Sequence, residues 1–180
     1  MWWSRAVRPA LLGVLLALAA CGFHPLYGPV GNGPGAPSVQ AQLEAIHIVP
    51  SADRTGQILY NALRDRLNPR GVPEKARYEL TVQLREEQID LLLQQDETAS
   101  RSNITLYAEY ILRARAGKRQ VLVQGTARAR TAYNVLNSEY ATRTAAGDAR
   151  TRAATELAES IRERLGVYFS EALAAAPAPK

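Results

Sequence analysis

The chain has 180 residues, 47% hydrophobic and 22% charged, with 22 Lys+Arg against 17 Asp+Glu for a net charge of +5. That length and apolar content suit one folded domain with its own core, and exclude a disordered tail or a collagen-like array. A single cysteine excludes an intramolecular disulfide and any cysteine-built metal cluster.

That cysteine, Cys21, closes Leu18-Ala19-Ala20-Cys21. Upstream, Met1 to Arg8 carries Arg5 and Arg8 and no acid, and Ala10 to Ala20 is an apolar stretch of 11 residues. Crossing roughly 30 Å of hydrocarbon takes about 20 such residues, so basic head and short apolar middle read as a secretory signal peptide. The small-small-Cys ending resembles a bacterial lipobox: small residues admit the peptidase to the backbone, and only a thiol forms the thioether to diacylglycerol. An unmodified cysteine beside an ordinary cleavage site is the alternative. Residues 1–20 are therefore expected to leave as a lipoprotein signal peptide, with Cys21 lipidated. One acyl chain, at about 0.8 kcal/mol per methylene, anchors only marginally and stable anchoring takes two; bacterial lipoproteins carry three. Gly22, where an Asp commonly retains such proteins in the inner membrane, directs the expectation to the outer membrane, facing the periplasm. Loss of Arg5 and Arg8 leaves 20 Lys+Arg against 17 acids, a net +3. All but Lys75, Lys118 and Lys180 of those cations are arginines, whose planar fork suits phosphate or carboxylate. Anionic lipid head groups or an acidic protein fit an exported chain; nucleic acid does not.

Residues 21–38 hold Pro25, Pro29, Pro34 and Pro37 among five glycines, a composition that reads as a tether. A single domain is expected over 39–174. Leu43, Ile46 and Ile48 predict a first strand closed by Pro50. Ile58, Leu59, Ala62, Leu63 and Leu67 recur at helical spacing over Asp53–Asn68, with Ser51 or Asp53 as cap and Asn68-Pro69 as stop. Three alternating runs follow. Tyr78, Leu80, Val82 and Leu84 share one face; so do Ile104, Leu106, Ala108, Tyr110, Leu112 and Ala114, and then Val121, Val123, Ala127, Ala129 and Tyr133. Gly117-Lys118-Arg119 reads as the hairpin tip between the last two. Leu157, Ile161, Leu165, Phe169 and Leu173 predict a closing helix over Asp148–Leu173, and residues 175–180 a disordered tail. The expected fold class is α+β: a two-layer sandwich of a four-stranded, mostly antiparallel sheet with two helices on one face.

Chemistry-bearing constellations are sparse. His24 falls in the tether and His47 in the first strand, without a second ligand at metal spacing. No Gly-x-Ser-x-Gly elbow or phosphate loop occurs. Glu86, Glu87, Asp90, Asp96 and Glu97 could supply a carboxylate pair, but read as a solvated loop rim. An enzyme, a metal and a cofactor are all unexpected.

Two surfaces remain. Arg113, Arg115, Arg128 and Arg130 fall on one face of adjacent strands with Lys118 and Arg119 at the turn, so six cations are expected to converge near one end of the sheet. Such a strip is either a charged face that discourages edge aggregation or a site for phosphates or an acidic wall. Ile89, Leu91, Leu92 and Leu93 break the alternation, and are expected as core under a helix rather than as an exposed patch.

Cys21-Gly22-Phe23-His24-Pro25-Leu26-Tyr27-Gly28 resembles the mature start of lipopolysaccharide-assembly lipoproteins of the LptE type, in their α-proteobacterial form. Tyr133-Asn134 followed by Ser138-Glu139-Tyr140-Ala141-Thr142, before a long Ala-rich helix, is similar too, although Glu139-Tyr140-Ala141 is equally readable as capping in a loop. The resemblance spans residues 21–173. It implies a non-enzymatic plug inside the outer-membrane β-barrel LptD, helping that barrel assemble and assisting delivery of lipopolysaccharide to the outer leaflet. It also implies contact of basic residues with lipopolysaccharide; no motif fixes the positions, and the candidates are Arg115, Lys118, Arg119 and Arg128. An accessory lipoprotein of a phospholipid-transport or secretin system is the alternative.

Overall fold

A computed structural model describes residues 38–91 and 100–175. The expected signal peptide, Cys21, His24 and the tether up to residue 37 lie outside the described residues, as do Leu92, Leu93, Asp96, Glu97 and residues 176–180. Ser38, assigned by composition to the tether, is the cap of the first helix, α1 (Val39–Glu44): its hydroxyl accepts from the Ala41 N–H at 3.2 Å. Leu43 therefore lies in a short helix rather than in the first strand, β1, which covers only Ile46–Ile48.

Helix α2 (Arg54–Leu67) forms as the spacing predicts. Asp53 is its N-cap, accepting the Gly56 N–H at 2.8 Å, and Leu59, Leu63 and Leu67 are buried. Asn68 ends it, and its buried amide donates to the carbonyls of Glu44 and Ile46 at 3.1 and 3.2 Å. That side chain ties the end of α2 to β1.

Strands β2 (Tyr78–Leu91), β3 (Ser100–Ala114) and β4 (Val121–Val135) complete a sheet of order β1-β2-β3-β4. The two long junctions are antiparallel, while β1 pairs parallel to β2, since α2 returns the chain to the same end. The sheet is thus mixed, with the antiparallel pairing expected for most of it. The alternation holds through β3 and most of β4: Leu80, Leu106, Leu112, Ala127 and Ala129 are buried on the helix side. Val121 departs from it. A register shift beside Arg113 inserts an extra residue, so Val121 stands opposite Arg113 and is exposed.

The closing helix, α3 (Glu139–Ala175), is longer at both ends than the spacing of large apolar residues predicts. Its early turns contact the core through Ala146, Ala149 and Ala153, small residues that a leucine-based periodicity overlooks. Leu157, Ile161, Leu165 and Phe169 are buried as expected. Glu139-Tyr140-Ala141 is the first turn of α3, not a loop. Capping surrounds it: Ser138 accepts from the Ala141 N–H at 3.4 Å, and the Thr142 hydroxyl bonds both main-chain groups of Leu136. The two long helices, α2 and α3, pack on the face of the sheet that carries the core, as expected, and the short α1 is a third helix that packs against α3.

Candidate functional site

Among the described residues the helices cover one face of the sheet and leave the other bare. Across β2, β3 and β4 the bare face is built of rows, among them Glu79–Arg113–Val121, Gln83–Glu109–Thr126, Arg85–Tyr107–Arg128 and Glu87–Thr105–Arg130. The third row is its most distinctive. The Arg85 guanidinium lies 4.3 Å from the centroid of the Tyr107 ring, a cation–π contact, and Arg128 flanks the same tyrosine from β4. Gln83, Glu109 and Arg164 join these three around an open cleft of about 750 Å³. Three exposed guanidinium groups against the one carboxylate of Glu109, beside an aromatic ring, make a surface with a net positive charge that suits anionic polar groups.

A second basic feature lies at one end of the sheet. The β3–β4 hairpin closes through the Ala114 N–H on the Gln120 carbonyl at 2.9 Å. Gly117 and Arg119 take positive φ of 69° and 50° there, which turns the chain tightly and projects Arg115, Lys118 and Arg119 into solvent. The Arg115 N–H bonds the Arg77 carbonyl, and the Arg77 N–H the Ala45 carbonyl, both at 2.9 Å. The turn, the start of β2 and the entry to β1 therefore share one end. Among the described residues, none of Arg77, Arg113, Arg115, Lys118 and Arg119 forms an ion pair.

The six cations do not converge as expected. Register puts Arg128 opposite Tyr107, six residues along β3 from Arg113, which is about 20 Å at roughly 3.4 Å per residue. Arg130 lies further still, opposite Thr105, with its Nε 3.4 Å from that hydroxyl. Alternation alone puts all these arginines on one face; distance along the strand separates Arg115, Lys118 and Arg119 from Arg128.

The remaining candidates resolve individually. Glu86, Glu87 and Asp90 lie on β2 rather than on a loop rim. Glu86 points to the helix side, where Arg150 grips it at 2.8 and 3.0 Å and Thr55 donates at 3.2 Å. Hydrogen bonding to Glu86 raises the Arg150 pKa further, against the effect of burial, so this carboxylate clamps α3 to the sheet. His47 sits on β1 opposite Glu79. Ile89 and Leu91 continue β2 onto the bare face, 41% and 38% exposed, which corrects their expected place in the core. Among the described residues no group of three or more His, Cys, Asp and Glu could hold a metal ion, and no helix is long and apolar enough to cross a membrane. Arg85, Tyr107 and Arg164 were not singled out as site residues. The first two alternate in sequence like their neighbours, and nothing local announces that a residue of α3 reaches β4.

A family model described as LptE, lipopolysaccharide-assembly, matches residues 43–165. The chain belongs to the LptE family. The match runs from α1 into the last third of α3 and includes all four strands, so it covers both basic features of this LptE-family protein. Among solved structures it is similar to a lipoprotein of Caulobacter crescentus CB15, with a TM-score of 0.64 at 23% identity over 78% of this chain and 98% of that one. That likeness shows a shared fold. A minor lipoprotein of Acinetobacter baumannii (TM-score 0.49, 16% identity, 68% and 88% of the two chains) and rare lipoprotein B of Shewanella oneidensis (0.45, 14%, 66% and 92%) are more distant matches. No curated protein matches the sequence.

Proposed function

We infer that this LptE-family chain is an outer-membrane lipoprotein that acts as plug and assembly partner of the LptD β-barrel in carrying lipopolysaccharide to the cell surface. It does so without catalysing a reaction, moored through acylated Cys21 and facing the periplasm. The observation that carries the reading is the family match across residues 43–165. The charge distribution supports it: an exposed basic turn, without an ion pair among the described residues, at the end of the sheet where β1 begins suits the phosphates of lipopolysaccharide. Arg115, Lys118 and Arg119 form the contact at the turn, and Arg128 supplies a second one on the bare sheet face.

The test replaces all four. Arg119 becomes glycine and the others alanine, because a φ of 50° suits glycine and the fold is then left unstrained. Each surface charge–phosphate contact contributes a few tenths to about 1 kcal/mol, so the quadruple variant is expected to bind lipopolysaccharide about tenfold more weakly or worse. Its circular dichroism and melting temperature should stay unchanged. A binding isotherm identical to that of the parent chain would remove these residues from the site.

A further inference from the structure

Among the described residues strand β4 is the last in the sheet order and 15 residues long, and an edge of that length without a partner strand is a template for another strand. In an antiparallel ladder successive residues turn their peptide groups alternately toward the neighbour strand and away from it. Two bonds from α3 identify the residues turned away. Arg164 donates from Nη1 to the Thr126 carbonyl at 2.5 Å, and Arg152 from Nη2 to the Ala132 carbonyl at 3.1 Å. Between those ends the same alternation turns the N–H and C=O of Arg128 and Arg130 outward.

The spacing explains why the ends are sealed and the middle is open. From Arg152 to Arg164 the helix advances about 18 Å, and from Thr126 to Ala132 the strand advances about 20 Å. Helix and strand run antiparallel side by side, so one arginine reaches each end of the stretch. Among the described residues nothing outside the sheet bonds the main chain of Arg128 or Arg130. The side chains of both are exposed on the bare face. Four guanidinium groups therefore frame the open stretch, while Glu156 and Glu163, the exposed acids on this part of α3, form no bond to it.

We propose that residues 127–131 of β4 are a strand-addition site for an extended, acidic segment of a partner protein. The partner's main chain continues the ladder at Arg128 and Arg130, and its alternate side chains fall beside those two arginines on the bare face. Charge complementarity selects the occupant. A second copy of this chain is unsuitable, because antiparallel pairing about Ala129 sets each Arg128 opposite the other copy's Arg130, and like charges facing each other across a ladder destabilise it. The site shares Arg128 with the proposed lipopolysaccharide contact but needs none of Arg115, Lys118 and Arg119, so a variant changed only at those three should keep strand addition.

The experiment titrates the isotopically labelled full chain with the acetylated, amidated peptide Thr-Glu-Val-Glu-Val-Glu-Thr, and with its counterpart carrying Gln for Glu. Amide hydrogen exchange at Arg128 and Arg130 is expected to slow about tenfold at saturation, with the Gln peptide about tenfold weaker and high salt weakening the acidic one. Arg130→Pro removes one outward N–H at a position where an edge strand tolerates proline, so it should lower binding without changing the circular dichroism. Arg130→Glu should do the same by charge alone, and stands in if the proline variant unfolds. Exchange unchanged at both amides, equal binding of the two peptides, slowing confined to the 115–120 turn, or protection traced to dimer formation would each overturn the proposal. Lipopolysaccharide binding by the Arg130 variants distinguishes the two readings, because Arg130 is not among the four proposed lipopolysaccharide contacts.

Discussion

At the scale of single residues, the N-cap of α2 offers a quantitative test. The Ser51 hydroxyl donates to the Asp53 carboxylate and the Gly56 N–H follows, and both hold its pKa below the ordinary carboxylate value against the opposing effect of burial. A carboxylate depressed in the folded state stabilises it above the unfolded pKa of about 4, and that contribution fades as pH falls through the lower folded value. Asp53→Ala is therefore expected to cost about 1 kcal/mol at pH 7, the usual worth of such a cap. The cost should shrink as pH falls below about 4, as measured by denaturant unfolding from pH 7 downward. A difference that stays constant with pH would mean that the carboxylate charge is irrelevant to the cap. The residue itself was legible, because an acid just before a helical apolar pattern is a start signal. Ser51 and Asp53 were both candidates, and in the structure they act together.

At the scale of elements, period-two alternation assigned strand faces well because one face is buried by helices and the other is bare. It failed where the backbone leaves regular geometry. The extra residue near Arg113 reverses Val121, whereas Ile89 and Leu91, expected to break the alternation, follow the unbroken pairing of β2 onto the bare face. Gly125 shows a finer limit. It faces Tyr110 across the ladder, and a Cβ there would fall 2.6 Å from the tyrosine hydroxyl oxygen. Glycine at this strand position is a seat for a buried ring, not a flexible link. Gly125→Val should displace the ring and lower stability by about 1–3 kcal/mol, the range for overpacking a filled core, read as a shifted denaturation midpoint. A midpoint at or above the parent's would show that Tyr110 can rotate aside at no cost.

For the whole molecule, the entry to β1 and the basic turn lie at one end, through the bonded row of Ala45, Arg77 and Arg115. Ile89, Leu91, Leu136 and Tyr140 are exposed large hydrophobic residues toward the other. This polarity was hidden in the sequence, because it depends on register and on the parallel return of β1. The separation of Arg128 from the turn was hidden for the same reason: which residues share a face is local information, whereas which lie close along it is not. Family, element order and core were nearly all legible. They rest on repeated apolar spacing and short motifs, which survive in one sequence without its partners.

The central claim, partnership with the LptD barrel, is tested most directly by affinity purification. The tagged, acylated full chain would be solubilised from its own outer membranes and its partners identified by mass spectrometry. The account predicts recovery of a large lipopolysaccharide-transport β-barrel in constant proportion to the chain. Recovery of a secretin or a phospholipid transporter in that proportion, with no such barrel, would contradict it.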